Sequence, residues 1–198
     1  MLFRSMKMDG NESQIQNLAS ILLNNALSYT PEYGSIEMLF LSDSDWLILL
    51  ALGWLFLSDS NNEAIYIPEG IEPPPKSVIE CPELQEYIVE FGNRKHDKAL
   101  VAEIQGNVVG AIWVRIMNDY GHIDNDTPSL AMSVCPQYRG LGIGTSLLKQ
   151  LLQVERLAGY SKISLSVQKS NYAVKMYEKV GFTVVNENSE EFIMIVNL

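Results

Sequence analysis

Arg139-Gly140-Leu141-Gly142-Ile143-Gly144 puts three glycines into five positions directly behind an arginine, where an amphipathic helix begins. Glycine costs conformational entropy in any regular element. One glycine satisfies a turn; three call for a ligand that approaches the backbone closely. The first N–H groups of a helix have no partner within it, and the helix dipole leaves positive potential there, so an anion is favoured. A strand, a glycine-rich loop and a helix N-terminus together form a phosphate cradle. Arg139 adds positive charge to a chain whose net charge is −10. Two phosphate loops fit poorly. A P-loop needs a lysine after its last glycine, whereas Thr145 follows Gly144 and Lys149 lies a turn deeper. The dinucleotide fingerprint GxGxxG needs a glycine where Thr145 stands, and a further βαβ unit with an acid about 20 residues on.

The elements that must hold this loop are legible from periodicity. ALVAEIQGNVVGAIWVRI, from Ala99, predicts a hairpin around Gln105-Gly106-Asn107. Residues 118–128 (NDYGHIDNDTP) form a polar loop, and Ser129–Val134 is a strand closed by Cys135-Pro136. The helix behind the glycines runs to about Ala158. A strand follows over 162–167, a helix from about Asn171 to Lys179 that stops at Gly181, and a last hairpin over 182–186 and 192–196. Upstream, residues 14–27 show a helical apolar face, and 46–57 (WLILLALGWLFL) is read as a buried helix capped by Asp43 or Asp45. That run is too short for a bilayer, which needs roughly 20 residues. PEGIEPPP at 68–75 is a stiff connector, and Pro82 starts a short helix with Leu84, Tyr87, Ile88 and Phe91 on one side and Gly92 as its stop. The expectation is one α/β domain over 1–198, a mixed sheet with helices on its faces. A divergent helical half, 1–98, precedes the core at 99–198.

Composition narrows the function classes. Hydrophobic residues make up 47% of 198 residues, an ordinary globular value. The acidic balance argues against a nucleic-acid surface, which needs clustered Lys and Arg. Cys81 and Cys135 lack any CxxC spacing, and His96 and His122 are the only histidines, so no metal site is expected. MLFRSMKMDG lacks the apolar core of a signal peptide, and a cytoplasmic protein without membrane attachment is expected.

The cradle together with its downstream half resembles the GNAT family, the Gcn5-related N-acetyltransferases. The signature [Q/R]xxGx[G/A] is matched by Arg139 to Gly144, and a second frame from Gln137 to Gly142 also satisfies it. The Arg139 frame places Gly144-Thr145 at the helix start. SVQKSNYAVKMYEKVGF resembles the family's second acyl-CoA segment through Asn171, Ala173, Tyr177, Glu178, Gly181 and Phe182. Many members place the Asn seven residues before the Tyr, where Ser170 stands here; Ser170 or Asn171 would be the polar contact. The resemblance covers about residues 99–196.

It implies a sheet splayed between its fourth and fifth strands, with acetyl-CoA as cosubstrate and an amine as acetyl acceptor in one ternary complex. The pantetheine arm would lie along Met132, Ser133 and Val134, and Arg139, Gly140, Leu141, Gly142, Ile143, Gly144 and Thr145 would hold the pyrophosphate. A fourth-strand amide near Val134 would serve the oxyanion, and Tyr177 occupies the family's general-acid position. The base is open, because Ser129 stands near where many relatives carry a Glu. Asp124, Asp126 and His122 in the preceding loop and Glu103 on the second strand are candidates, as is a water chain. Cys135 reads as a small buried residue rather than a nucleophile. Asp97, Glu187, Glu190 and Glu191 are candidates to attract a cationic amine, with Tyr29, Tyr33, Trp46 and Trp54 as further walls or as core. A non-catalytic acyl-CoA-binding domain is the alternative, and a homodimer is compatible with either.

Overall fold

The computed structural model describes residues 37–40, 70, 72, 82–87, 91–92, 94, 96–104 and 107–198. The expected helices at 14–27 and 46–57, and the aromatics Tyr29, Tyr33, Trp46 and Trp54, lie outside the described residues. The elements are β1 (Glu37–Phe40), α1 (Pro82–Gln85), β2 (Lys98–Ile104), β3 (Asn107–Arg115), β4 (Ser129–Val134), α2 (Ile143–Leu157), β5 (Lys162–Gln168), α3 (Val174–Val180), β6 (Thr183–Glu187) and β7 (Glu191–Asn197). A 3-10 turn over Pro136–Tyr138 links β4 to the glycines. One sheet contains all seven strands in the order β1-β2-β3-β4-β5-β7-β6. Every neighbouring pair is antiparallel except β4 and β5.

The strands expected between 99 and 196 form with nearly the expected bounds, since each alternates or runs apolar between turn residues. β1 was not expected. EMLF is too short to alternate visibly, and its partner is remote: Glu37 pairs with Glu103 and Phe40 with Leu100. Long-range pairing makes it a strand. With β1 in place, Ser129–Val134 is the fourth strand among the described residues.

Helices α2 and α3 cover one face of the sheet. Leu147, Leu148 and Leu151 of α2 pack fully buried against Leu100, Ile112, Val114, Leu130, Ile163 and Leu165. Each such side chain contributes about 1.5–3 kcal/mol of burial. On the other face Phe91, Ala99, Val101, Ala111, Trp113 and Cys135 form a second cluster. Beside it Arg115 is wholly buried on Asp97, donating from Nε to Oδ1 at 2.9 Å and from Nη2 to Oδ2 at 2.7 Å. Arg115 Nη1 also donates to the Glu86 carbonyl at 2.8 Å, and Gly92 N donates to Asp97 Oδ2 at 2.8 Å. This pair ties the segment after α1 to β3. Asp97 is therefore committed to an arginine and is not a surface acid that attracts an amine.

Candidate active site

The parallel pair β4–β5 opens almost as soon as it forms. Ser129 and Ser164 are its one registered pairing, and Ser164 N donates to the Pro128 carbonyl at 3.0 Å. Beyond it β4 stays on β3, from Arg115↔Ser129 to Gly110↔Val134, while β5 pairs with β7 along its length. The two strands form a fork, closed at Ser129 and open toward Val134.

Alternation along β4 decides which peptide groups enter the fork. Cys135 N donates to the Val109 carbonyl at 2.9 Å, so odd-numbered positions turn their peptide groups to β3 and even-numbered ones turn theirs to β5. Met132 and Val134 thus face the fork, and no strand among the described residues stands opposite them. Ser133, expected beside them, has its peptide groups in the β3 ladder, opposite Ala111, and drops out as a backbone partner. The Val134 carbonyl is also occupied: Arg139 Nε donates to it at 2.8 Å. Arg139 thereby folds the glycine loop back onto the strand end.

The loop then delivers helix α2 without a cap. Gly140 and Gly142 take left-handed conformations, at φ 77° and 83°, that other residues adopt at a cost. Gly142 is the N-cap residue, no side chain caps the helix, and its first turn holds no acid. The first hydrogen bond of the helix runs from Ser146 N to the Gly142 carbonyl at 3.0 Å. The N–H groups of Ile143, Gly144 and Thr145 therefore lack intrahelical partners. A Cβ on Gly140 would meet nothing within 4 Å, so the space above the loop is open. Gly144 points inward instead, with Met132 and Met176 at 3.5 Å from an added Cβ. Two of the glycines serve backbone conformation, and the third serves helix-to-sheet packing. An uncapped helix end beside an open loop fits a pyrophosphate, and the Met132 peptide with the Val134 N–H, which no strand among the described residues pairs, fits an extended arm.

Tyr177 on α3 is buried, 7% exposed, with its ring edge-on to Phe182 at 5.6 Å between centroids. Gly181 ends α3 at φ 109°, and Phe182 N donates back to the Tyr177 carbonyl at 3.0 Å. This is a glycine-terminated cap with its usual apolar contact. Gly181 and Phe182 so hold Tyr177 in place. Burial pushes the Tyr177 hydroxyl well above the ordinary phenol value, which keeps it protonated. Asn171 Oδ1 accepts from Ala173 N at 2.9 Å and shapes the turn into α3. That gives Asn171 a structural task; Ser170 precedes it on the exposed surface.

The expected bases stand elsewhere. Asp124 accepts from Lys162 Nζ at 2.7 Å, from Thr127 Oγ1 at 2.6 Å and from Asp126 N at 3.0 Å. Lys162 and Thr127 hold its carboxyl down at about 2, a poor proton acceptor at neutral pH. Asp124 and the exposed Asp126 both lie beyond the closed end of the fork. Glu103 sits on β2, two strands or about 10 Å from β4. His122 turns Nδ1 to the Met117 carbonyl at 2.9 Å. Cys135 is packed in the second apolar cluster, as a small buried residue would be.

Two further residues meet at this site. Asp119 Oδ2 accepts from Tyr87 Oη at 2.8 Å and from Ser129 Oγ at 2.7 Å, at the closed end of the fork. Tyr87 reads in sequence as one apolar position of a short helix, and Asp119 as one acid among several in a polar loop. No local spacing marks them. Gly121, two residues after Asp119, shows how closely the loop sits: an added Cβ would lie 2.6 Å from Ser129 Oγ and 3.0 Å from Ser166 N, so the loop is pressed against both strands.

Comparison with known proteins agrees with this geometry. A family model described as Acetyltransferase (GNAT) family matches residues 63–182. An N-alpha-acetyltransferase of Sulfurisphaera tokodaii is 35% identical over 108 residues, covering 50% of this chain and 64% of that protein. N-acetyltransferase family 8 member 7 of Mus musculus is 29% identical over 153 residues, covering 75% of this chain and 64% of its own length. The chain thus spans just under two thirds of either relative. Among solved structures, the GNAT domain of S. lividans PAT superposes with a TM-score of 0.59 at 16% identity, covering 83% of this chain and 92% of that one. PaiA N-acetyltransferase from Thermoplasma acidophilum, solved in complex with coenzyme A, gives 0.54 at 21% identity, covering 83% and 99%. At such identities these structures speak for the fold.

Proposed function

This chain belongs to the GNAT family of acetyltransferases, and from that we propose that it transfers an acetyl group from acetyl-CoA to a primary amine by direct attack in a ternary complex. The observation that carries the reading is the fork: one β4–β5 pairing at Ser129, then a β4 edge that no strand among the described residues pairs, leading to an uncapped helix N-terminus. Met132 and Val134 would hold the pantetheine arm as an added strand holds its neighbour. The N–H groups of Ile143 to Thr145, with Gly140 to Gly142, would hold the pyrophosphate. Acetyl-CoA supplies an activated acyl group; the chain supplies orientation, an N–H donor for the carbonyl oxygen and proton transfer. Val134 N–H and Met132 N–H face the space where that oxygen would lie, and the Tyr177 hydroxyl remains a donor for the departing sulfur.

We take residues 1–198 as one domain, because β1 pairs in register with β2 of the same sheet. Among the described residues no helix is long and apolar enough to cross a membrane. A cytoplasmic setting is the reading that the unpaired cysteine spacing favours.

Calorimetric titration with acetyl-CoA, CoA and ATP tests donor recognition, with acetyl-CoA and CoA expected to bind and ATP not. A thiol-release assay on primary amines then tests transfer. Tight ATP binding without CoA binding defeats the proposal; coenzyme binding without turnover of any amine leaves an acyl-CoA-binding domain.

A further inference from the structure

We propose that the Asp119 carboxylate, held by Tyr87 and Ser129 at the closed end of the fork, takes the proton that the acceptor amine sheds. This role rests on the acetyl-transfer reading and adds to it the group that Ser129, standing where many relatives carry a Glu, does not supply.

Ser129, Ala131 and Ser133 on β4 and Ser164 and Ser166 on β5 share the face away from α2, because Leu130, Met132, Ile163, Leu165 and Val167 pack beneath it. The loop after β3 folds onto this hydroxyl-bearing face, with Gly121 pressed between Ser129 and the backbone of Leu165 and Ser166. Gly121 thus brings the preceding residues to the fork, and Asp119 Oδ2 receives its two short hydrogen bonds there. Among the described residues Asp119 Oδ1 is buried with no hydrogen-bond partner, and so are Ser164 Oγ and Ser166 Oγ. A buried carboxylate oxygen without a donor is costly. These oxygens on adjoining elements are acceptors short of donors, and an ammonium carries three.

The surroundings suit a cation. Burial and Asp119 push the Tyr87 hydroxyl far above the ordinary phenol value, so it stays a donor to the carboxylate, and Glu191 lies close enough to push in the same direction. Among the described residues, Tyr120 and Glu191 act on the Tyr87–Asp119 pair, His122 N donates to the Asp119 carbonyl, and Arg115, paired with Ser129 across to β3, is already held by Asp97. Before attack the ammonium gives one proton to Asp119 Oδ1 and becomes the neutral amine, a transfer that a neutral acceptor does not need. As the amine nitrogen attacks the thioester carbonyl, the N–C bond forms, the C–S bond breaks, and sulfur leaves with the electron pair. The second nitrogen proton balances the sulfur, which is protonated from the Tyr177 side or from solvent.

The test compares the unaltered chain with Asp119→Asn by thiol release from acetyl-CoA. Ethylamine, spermidine and a tetrapeptide with a free N-terminus serve as ammonium probes, and hydroxylamine as a probe that is neutral at pH 7. The variant is expected to lose about 10²-fold or more in kcat/KM on whichever ammonium probe the unaltered chain acetylates. On hydroxylamine it should lose far less, with acetyl-CoA affinity unchanged by calorimetry. An equal loss on both probe classes, or turnover retained on the ammonium probe, overturns the role alone. If the unaltered chain binds acetyl-CoA yet acetylates none of the probes, the proposed function fails and this role with it. Should Asp119→Asn not unfold cooperatively in urea, Ser129→Ala replaces it: a fall in kcat confined to the ammonium probe supports the role, and a uniform fall overturns it.

Discussion

Gly121→Ala is the most direct probe of how the loop meets the fork. Gly121 lies outside the left-handed region, so alanine suits its backbone and the whole effect comes from contact. The added Cβ would stand 2.6 Å from Ser129 Oγ, 3.0 Å from Ser166 N and 3.1 Å from the Leu165 carbonyl carbon. Ordinary contact begins at 3.4 Å, so the hydroxyl must retreat by about 0.8 Å and the β5 backbone by 0.3–0.4 Å. Ser129 Oγ can rotate away, but it then abandons Asp119 Oδ2, to which it donates at 2.7 Å. β5 cannot yield easily, because β7 holds it along its full length. The loop must lift or the Ser129 bond must break, and either releases Asp119. Overpacking of this kind costs about 1–3 kcal/mol, or roughly 2–4 °C of melting temperature per kcal/mol in a chain of this size. Urea unfolding measures the cost, and thiol release measures the accompanying loss of turnover. A cycle with Ser129→Ala separates the two contacts: removing Oγ should recover part of the stability loss and none of the turnover. Gly121→Ala within about 0.5 kcal/mol of the unaltered chain, with full turnover, refutes the close approach.

The other expectations are simpler. Asp97→Asn strands the buried Arg115 guanidinium and weakens the acceptor for Gly92 N, so urea unfolding should show a loss of about 3–5 kcal/mol; a loss below about 1 kcal/mol contradicts the burial of that pair. Asp124 is held at about 2, below the ordinary carboxylate value, by Lys162 and Thr127. Its contribution to stability is therefore present above about pH 4 and lost as pH falls toward about 2, so Asp124→Asn should flatten the acid limb of stability against pH; unchanged slopes speak against the contact. Tyr177→Phe should reduce turnover by about 10²-fold if its hydroxyl serves the leaving sulfur, while calorimetric coenzyme affinity stays unchanged; an unaffected rate removes it from the reaction. Gly142→Val forces a β-branched residue to φ 83°. It should cost about 1–2 kcal/mol in unfolding and abolish acetyl-CoA binding by calorimetry; intact affinity refutes the cradle.

The readings that survived are those written in neighbouring residues. Ser129–Val134 was legible because its flanks, Pro128 and Cys135-Pro136, end any regular element on both sides. The start of α2 was legible because Gly142 and Gly144 precede a helical apolar stripe, and the structure starts the helix at Ile143. The expected helix from Asn171 begins three residues late, because Asn171 spends its side chain on the turn. Asp124 looked like a base because a loop acid carries no sign of its partner, and that partner, Lys162, stands 38 residues away. Asp97 carries no sign of its partner either, its arginine lying 18 residues on.

By itself, then, the amino-acid sequence determined the strands and helices of the C-terminal half, the glycine loop and the bare helix end behind it. Backbone preference and hydrophobic period act over a few residues and need no tertiary partner to be read. The fold alone decided where the sheet splits, that Ser133 turns its peptide to β3, that EMLF is an edge strand, and that Asp119 rather than Asp124 reaches the fork. Those outcomes depend on which remote groups meet, and a hydrogen bond between Tyr87 and Asp119 spans 32 residues. Such a bond is made by packing of the whole domain, and no window of the chain contains both ends of it.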